Sequence, residues 1–256
     1  MQQAINFYVY GLKQLFDNLP TALRLTAVVW VGASVLVLIL GALLVGQPVS
    51  GGDVRPDAEG QMPALTATFT MLSLVINVMA AAWVSLIWSR FCLGADTPRG
   101  VVPSLKGLPF SNFLITVLLV VVVVGGAGLI LNILENMVIM HLPLLVSMIA
   151  LPLISTFLMT WLLLRVGAAL PATAAGQVLS LVQAWVGARD KSIWVLAILA
   201  VVTTILLVLP SMLLAGLMGA NMLLHSLIGV VTSWLLILIG TGWLVAIFRS
   251  IPPMSK

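Results

Sequence analysis

The sequence predicts an all-α membrane protein: a six-transmembrane-helix bundle with an amphipathic N-terminal interfacial helix. Three observations carry this. Of 256 residues, 62% are hydrophobic and 7% charged, where a soluble domain has roughly 45–50% and about 25%. The mean hydropathy is +1.23. Six stretches reach the roughly 20 apolar residues needed to cross a hydrocarbon core. A membrane barrel would alternate apolar and polar residues along each strand, and runs such as Leu118 to Val124 show no alternation. The whole chain, 1–256, reads as one transmembrane domain.

Residues 4–19 precede the spans. Ile5, Tyr8, Val9, Leu12, Leu15, Phe16 and Leu19 recur at helical spacing and define an apolar face. Asn6, Lys13, Gln14 and Asp17 fall mostly off it. Pro20 then breaks the helix. Such a helix is expected to lie on the inner leaflet; docking a partner is the functional alternative.

Span one runs from Leu25 to Val45. It is expected to be retained, because it is longer than a signal-peptide core and no small-residue cleavage site follows near Gly46. Residues 47–63 form a turn-rich, acidic outer loop, with a gating role as the alternative to a flexible connector. Spans two to six are Ala64 to Trp88, Phe113 to Leu134, Pro143 to Leu164, Trp194 to Leu217, and Ser226 to Phe248. Inner loops of 90–112 and 166–193 join them. In the second, Leu179 to Ala188 predicts a short helix after Ser180, with Leu181, Val182 and Trp185 on one face.

The basic residues orient the chain. The sequence has 11 Lys and Arg. Lys13, Arg24, Arg90, Arg99, Lys106, Arg165, Arg189, Lys191, Arg249 and Lys256 share one side, leaving Arg55 alone on the other. The positive-inside rule places both termini in the cytoplasm. The net charge of +4 therefore reports topology, and no nucleic-acid partner is expected. One cysteine excludes a disulfide framework and a cysteine-rich metal module.

Few residues carry chemistry. Ionisable groups inside a bilayer usually mark a site, and no span has one near its centre. H-E-x-x-H, G-x-S-x-G and P-loop patterns are missing from the sequence. Glu135, His141 and His225 offer too few ligands for zinc. Cys92 reads as an apolar filler. No catalytic residue, metal or cofactor is expected.

Three other groups qualify as candidates. Arg24, Arg90, Arg165 and Arg249 stand at inner span ends, where they can meet lipid headgroups. Thr66, Thr70, Ser73 and Asn77 share one face of span two, to pack against a helix or to line a solute path. Pro152 and Pro210 are candidate helix bends, and broken helices mark binding sites in many transporters. Trp88, Trp185 and Trp194 are expected as interface anchors. Each even-numbered span also ends in an arginine with tryptophan upstream, which fits three related hairpins or shared boundary chemistry.

Trp88-Ser89-Arg90-Phe91, Leu93-Gly94, Pro98-Arg99-Gly100 and Pro103 form one motif group. Arg165, Leu170-Pro171-Ala172, Gly176, Leu179-Ser180 and Ala184-Trp185 form a second, and Asn18-Leu19 with Ala22-Leu23-Arg24-Leu25 a third. Their order resembles a family of uncharacterised proteobacterial six-span integral membrane proteins. Ser89 stands where that family often has histidine, and Gln183 where an acidic residue is common. The resemblance implies a bacterial inner-membrane location and no particular activity.

The expected function is an accessory, assembly or scaffold role beside another membrane complex. Membrane lipids, that complex, or a second copy are the expected partners. The alternative is a transporter or channel for a small or lipid-like solute. A third class is an enzyme acting on lipid, with Arg90, Arg165 and Arg249 holding a headgroup.

Overall fold

The computed structural model describes residues 1–45, 64–95, 107–139, 146–177, 179–189, 192–217 and 222–252. Among the described residues every regular element is helical: α1 Gln2–Asp17, α2 Leu19–Ala22, α3 Val28–Leu44, α4 Ala64–Cys92, α5 Phe110–Ile139, α6 Leu151–Val166, α7 Ala169–Ala174, α8 Leu181–Gly187, α9 Ile193–Leu217 and α10 Met222–Ser250. Two π-helical turns, Leu23–Ala27 and Val146–Ala150, lead into α3 and α6. The outer loop of 47–63 with Arg55, and also Arg99, Lys106, His141, Lys191 and Lys256, lie outside the described residues.

Six helical stretches are long and apolar enough to cross a membrane: Leu19–Leu44, Ala64–Cys92, Phe110–Val138, Leu151–Ala174, Ile193–Pro210 and Ser226–Ser250. The third runs past its predicted end, which takes Glu135 into α5. The fourth continues beyond Leu164 through a turn at Gly167 into α7.

The core lies around α10. Of its membrane window, 56% is buried, against 6% for α5. Leu238, Ile239, Trp243, Val245 and Ile247 of α10 meet Trp88 of α4 and Leu196 and Ala197 of α9 in one apolar cluster. Indole N–H groups tie α10 to α1, α3, α4 and the π turn before α3. Trp30 donates to the Val230 carbonyl at 2.9 Å, and Trp88 to the Leu238 carbonyl at 3.0 Å. Trp234 donates to Thr26 Oγ1 at 2.9 Å, and Trp243 to the Tyr8 carbonyl at 3.2 Å. A buried indole needs such an acceptor, because its N–H has lost water.

The amphipathic N-terminal helix is present, and its packed face overlaps the one hydropathy selects but is rotated from it: Leu15 is buried and Tyr8, Leu12 and Leu19 pack against the core. Ala4, Phe7, Gly11 and Leu15 are buried, while Val9 and Phe16 are exposed. The reason is steric. Gly11 lets the α1 backbone approach α10 closely, and a glycine carries no hydropathy signal. The helix also sinks into the bundle. Gly11 sits beside Ile239 and Gly242, and Ile239 is about 15 Å along α10 from Arg249 at 1.5 Å per residue. Tyr8 Oη reaches Thr203 Oγ1 in α9 at 2.8 Å.

Candidate functional site

The arginine-bearing end of the bundle holds its most organised chemistry. Helix C-termini leave carbonyls without intrahelical partners and concentrate partial negative charge. Three arginines answer this across helices. Arg90 Nη1 donates to the carbonyl of Ala174, the last residue of α7, at 3.0 Å. Arg249 Nη2 donates to the carbonyl of Cys92, the last residue of α4, at 2.7 Å. Tyr10 Oη donates to the same carbonyl at 3.2 Å and accepts from Arg249 Nη1 at 3.2 Å. Arg165 Nη2 donates to the Arg189 carbonyl, just beyond α8, at 3.3 Å. Arg24 stands apart, exposed in the π turn before α3.

Arg165 has the most elaborate surroundings. Its guanidinium lies 4.9 Å from the Trp161 ring centre and 4.5 Å from that of Trp185. The two indoles meet edge to face, with centroids 5.4 Å apart. Cation–π contact of this kind fixes a guanidinium plane as well as stabilising its charge. Trp185 is placed by α8, whose first turn carries a capping box. Gln183 N–H donates to Ser180 Oγ, and Ser180 N–H donates to Gln183 Oε1. Gln183 thus does there what a glutamate would do. Val182, expected on the Trp185 face, is 72% exposed and points away.

Beside Arg165 opens a cleft of about 260 Å³, lined by Trp161, Arg165, Arg189, Ser192, Ile193 and Trp194. Ser192 adopts φ +52°, the left-handed region that a side chain disfavours. Its Oγ accepts from the Met1 nitrogen at 3.5 Å. The sequence pattern does not reveal this cleft, since Ser192 and Arg189 meet Trp161 only through the packing of α6, α8 and α9.

The other candidates fall elsewhere. Thr66 and Ser73 are buried in the region where α4 packs on α3, with Thr70 and Asn77 half-buried. Thr70 Oγ1 donates to the Thr66 carbonyl and Ser73 Oγ to the Thr70 carbonyl, both at 2.9 Å. These hydroxyls are therefore spent on their own helix. Pro152 stands in the first turn of α6, directly after a π turn. Pro210 lies inside α9. Thr203 and Thr204 bond the carbonyls of Leu199 and Ala200, not the Leu206 carbonyl four residues before the proline. Trp88 corrects the anchoring expectation: it is fully buried and stacked on Phe91 at 5.1 Å. Trp194 is 57% exposed.

At the far end of the spans, Ser155 Oγ donates to Glu135 Oε1 and joins α6 to α5. Among the described residues no group of three or more His, Cys, Asp or Glu comes together. Fold and site together define a polytopic membrane protein with six spanning helices. No family model, curated protein or solved structure matches the chain.

Proposed function

We propose that the protein is a non-catalytic accessory or scaffold subunit that docks another integral membrane protein through α5. One observation carries this reading: α5 is the least supported span, with 6% of its membrane window buried. Val122, Leu129, Ile130 and Met137 are each more than 60% exposed. Gly125 and Gly126 interrupt that surface, and a Cβ on either would meet nothing within 4 Å. Lipid fills such a notch poorly. A partner helix fills it well, because small residues let helix backbones approach.

The self-bonded hydroxyls of α4 further support a packing role over a solute path. Charge asymmetry supports cytoplasmic termini, and the family resemblance supports a bacterial inner-membrane location. The test is purification from native membranes in gentle detergent, followed by size analysis and mass spectrometry. The expected result is a stoichiometric partner that is lost on Gly126→Trp. A lone monomer would overturn the reading and direct the next assay to solute flux in liposomes.

A further inference from the structure

We propose that the cleft between α6 and α9 binds the phosphate of an anionic phospholipid. Independently of any partner on α5, the lining includes two arginines, Arg165 and Arg189, and Ser192, with no Asp or Glu among the described lining residues. Arg165 is incompletely used. Among the described residues its one hydrogen bond, to a carbonyl, is long, at 3.3 Å, and its buried Nε has no acceptor. A guanidinium carries five donors in a fork that matches phosphate oxygens. Trp161 and Trp185 both contact that fork, so it is oriented before a ligand arrives. Arg90 shares the unpaired Nε, but its terminal nitrogen, like that of Arg249, is turned onto a helix-terminal carbonyl at 3.0 Å or less, and neither arginine borders this cleft.

The surroundings select a lipid over a free anion. Trp194 borders the cleft at 57% exposed. On α8, Val182 and Val186 are 72% and 62% exposed, one helical turn apart. That short helix also supplies the indole over Arg165. Exposed valines and an indole at a span boundary suit acyl chains and the headgroup region. Inorganic phosphate gains nothing from them.

The test is native mass spectrometry of the full chain in detergent, with dioleoylphosphatidylglycerol, dioleoylphosphatidylcholine or inorganic phosphate added. One phosphatidylglycerol should be retained. The Arg165→Gln/Arg189→Gln double variant should weaken retention at least about tenfold, the scale of losing a charge-assisted hydrogen bond. Arg189→Lys should keep most of it, and Arg24→Gln, remote and exposed, all of it. If the double variant does not fold, Arg189→Gln carries the test, since that side chain is exposed. Undiminished retention in a folded variant, or equal retention of phosphatidylcholine, would overturn the proposal. Displacement of the lipid by an equal concentration of inorganic phosphate would assign the cleft to a free anion and overturn it too.

Discussion

Gly11 and Gly242 meet where α1 crosses α10, so closely that a Cβ on Gly242 would lie 2.9 Å from the Gly11 Cα. A Cβ on Gly11 would lie 2.4 Å from Trp243 Cδ1 and 3.1 Å from the Ile239 carbonyl oxygen. The second neighbour is backbone and cannot swing aside. Gly11→Val is therefore expected to destabilise by about 1–3 kcal/mol, the usual cost of overpacking. Gly126→Ala, with open space around it, should leave thermal unfolding in detergent unchanged. Equal midpoints for the two variants would show that the crossing is not tight.

The rotated face of α1 separates two phenylalanines. Phe7 is 7% exposed and Phe16 is 63% exposed. Phe7→Ala should cost about 3 kcal/mol, the low end for deleting a buried ring. Phe16→Ala should stay within about 0.5 kcal/mol. Unfolding followed by circular dichroism distinguishes them, and the reverse ranking would restore the face that hydropathy selects.

Trp88 and Trp194 make a second pair. Trp88→Phe removes the N–H bonded to the Leu238 carbonyl and should cost about 1–2 kcal/mol. Trp194→Phe should be near neutral for stability, because that indole is 57% exposed. A larger loss at Trp194 in the same unfolding assay would contradict the assignment of Trp88 as a structural donor.

Tyr10 gives a pH dependence. Burial raises its phenol above the usual 10.0, nearby Cys92 adds to the shift, and Arg249 opposes it. A raised folded-state value means that the contribution is intact below the unfolded value and is lost as pH rises through the folded one. Thermal stability should therefore fall above about pH 10, and Tyr10→Phe should flatten that fall. An identical alkaline profile in the variant would detach it from this residue.

The spans were legible because a bilayer demands a long apolar run, a signal that needs no knowledge of neighbours. The short helix after Ser180 was legible for a local reason as well, since its capping residue precedes it directly. The α1 face was legible only in part, since Leu15 is buried and Tyr8 and Leu12 pack as expected, while Gly11 matters through its smallness. Nor was the role of Trp88: one indole suits both a wet boundary and a buried acceptor, and only tertiary packing decides between them. The arginines were legible in position but not in partner. Arg249 and the Cys92 carbonyl are 157 residues apart, and no spacing rule joins them. The cleft beside Arg165 depends on three helices and an unusual Ser192 conformation, which composition does not encode.

The docking of α1 on α10 also sets an order of events during synthesis. Gly11 leaves the ribosome long before Ile239 and Trp243, the groups that cover it. Until the sixth span is inserted, the first helix has its contacts with α4 and α9 but lacks the α10 side of its seat. Closure of the bundle is thus a late step, in which the earliest-made segment is locked by the last.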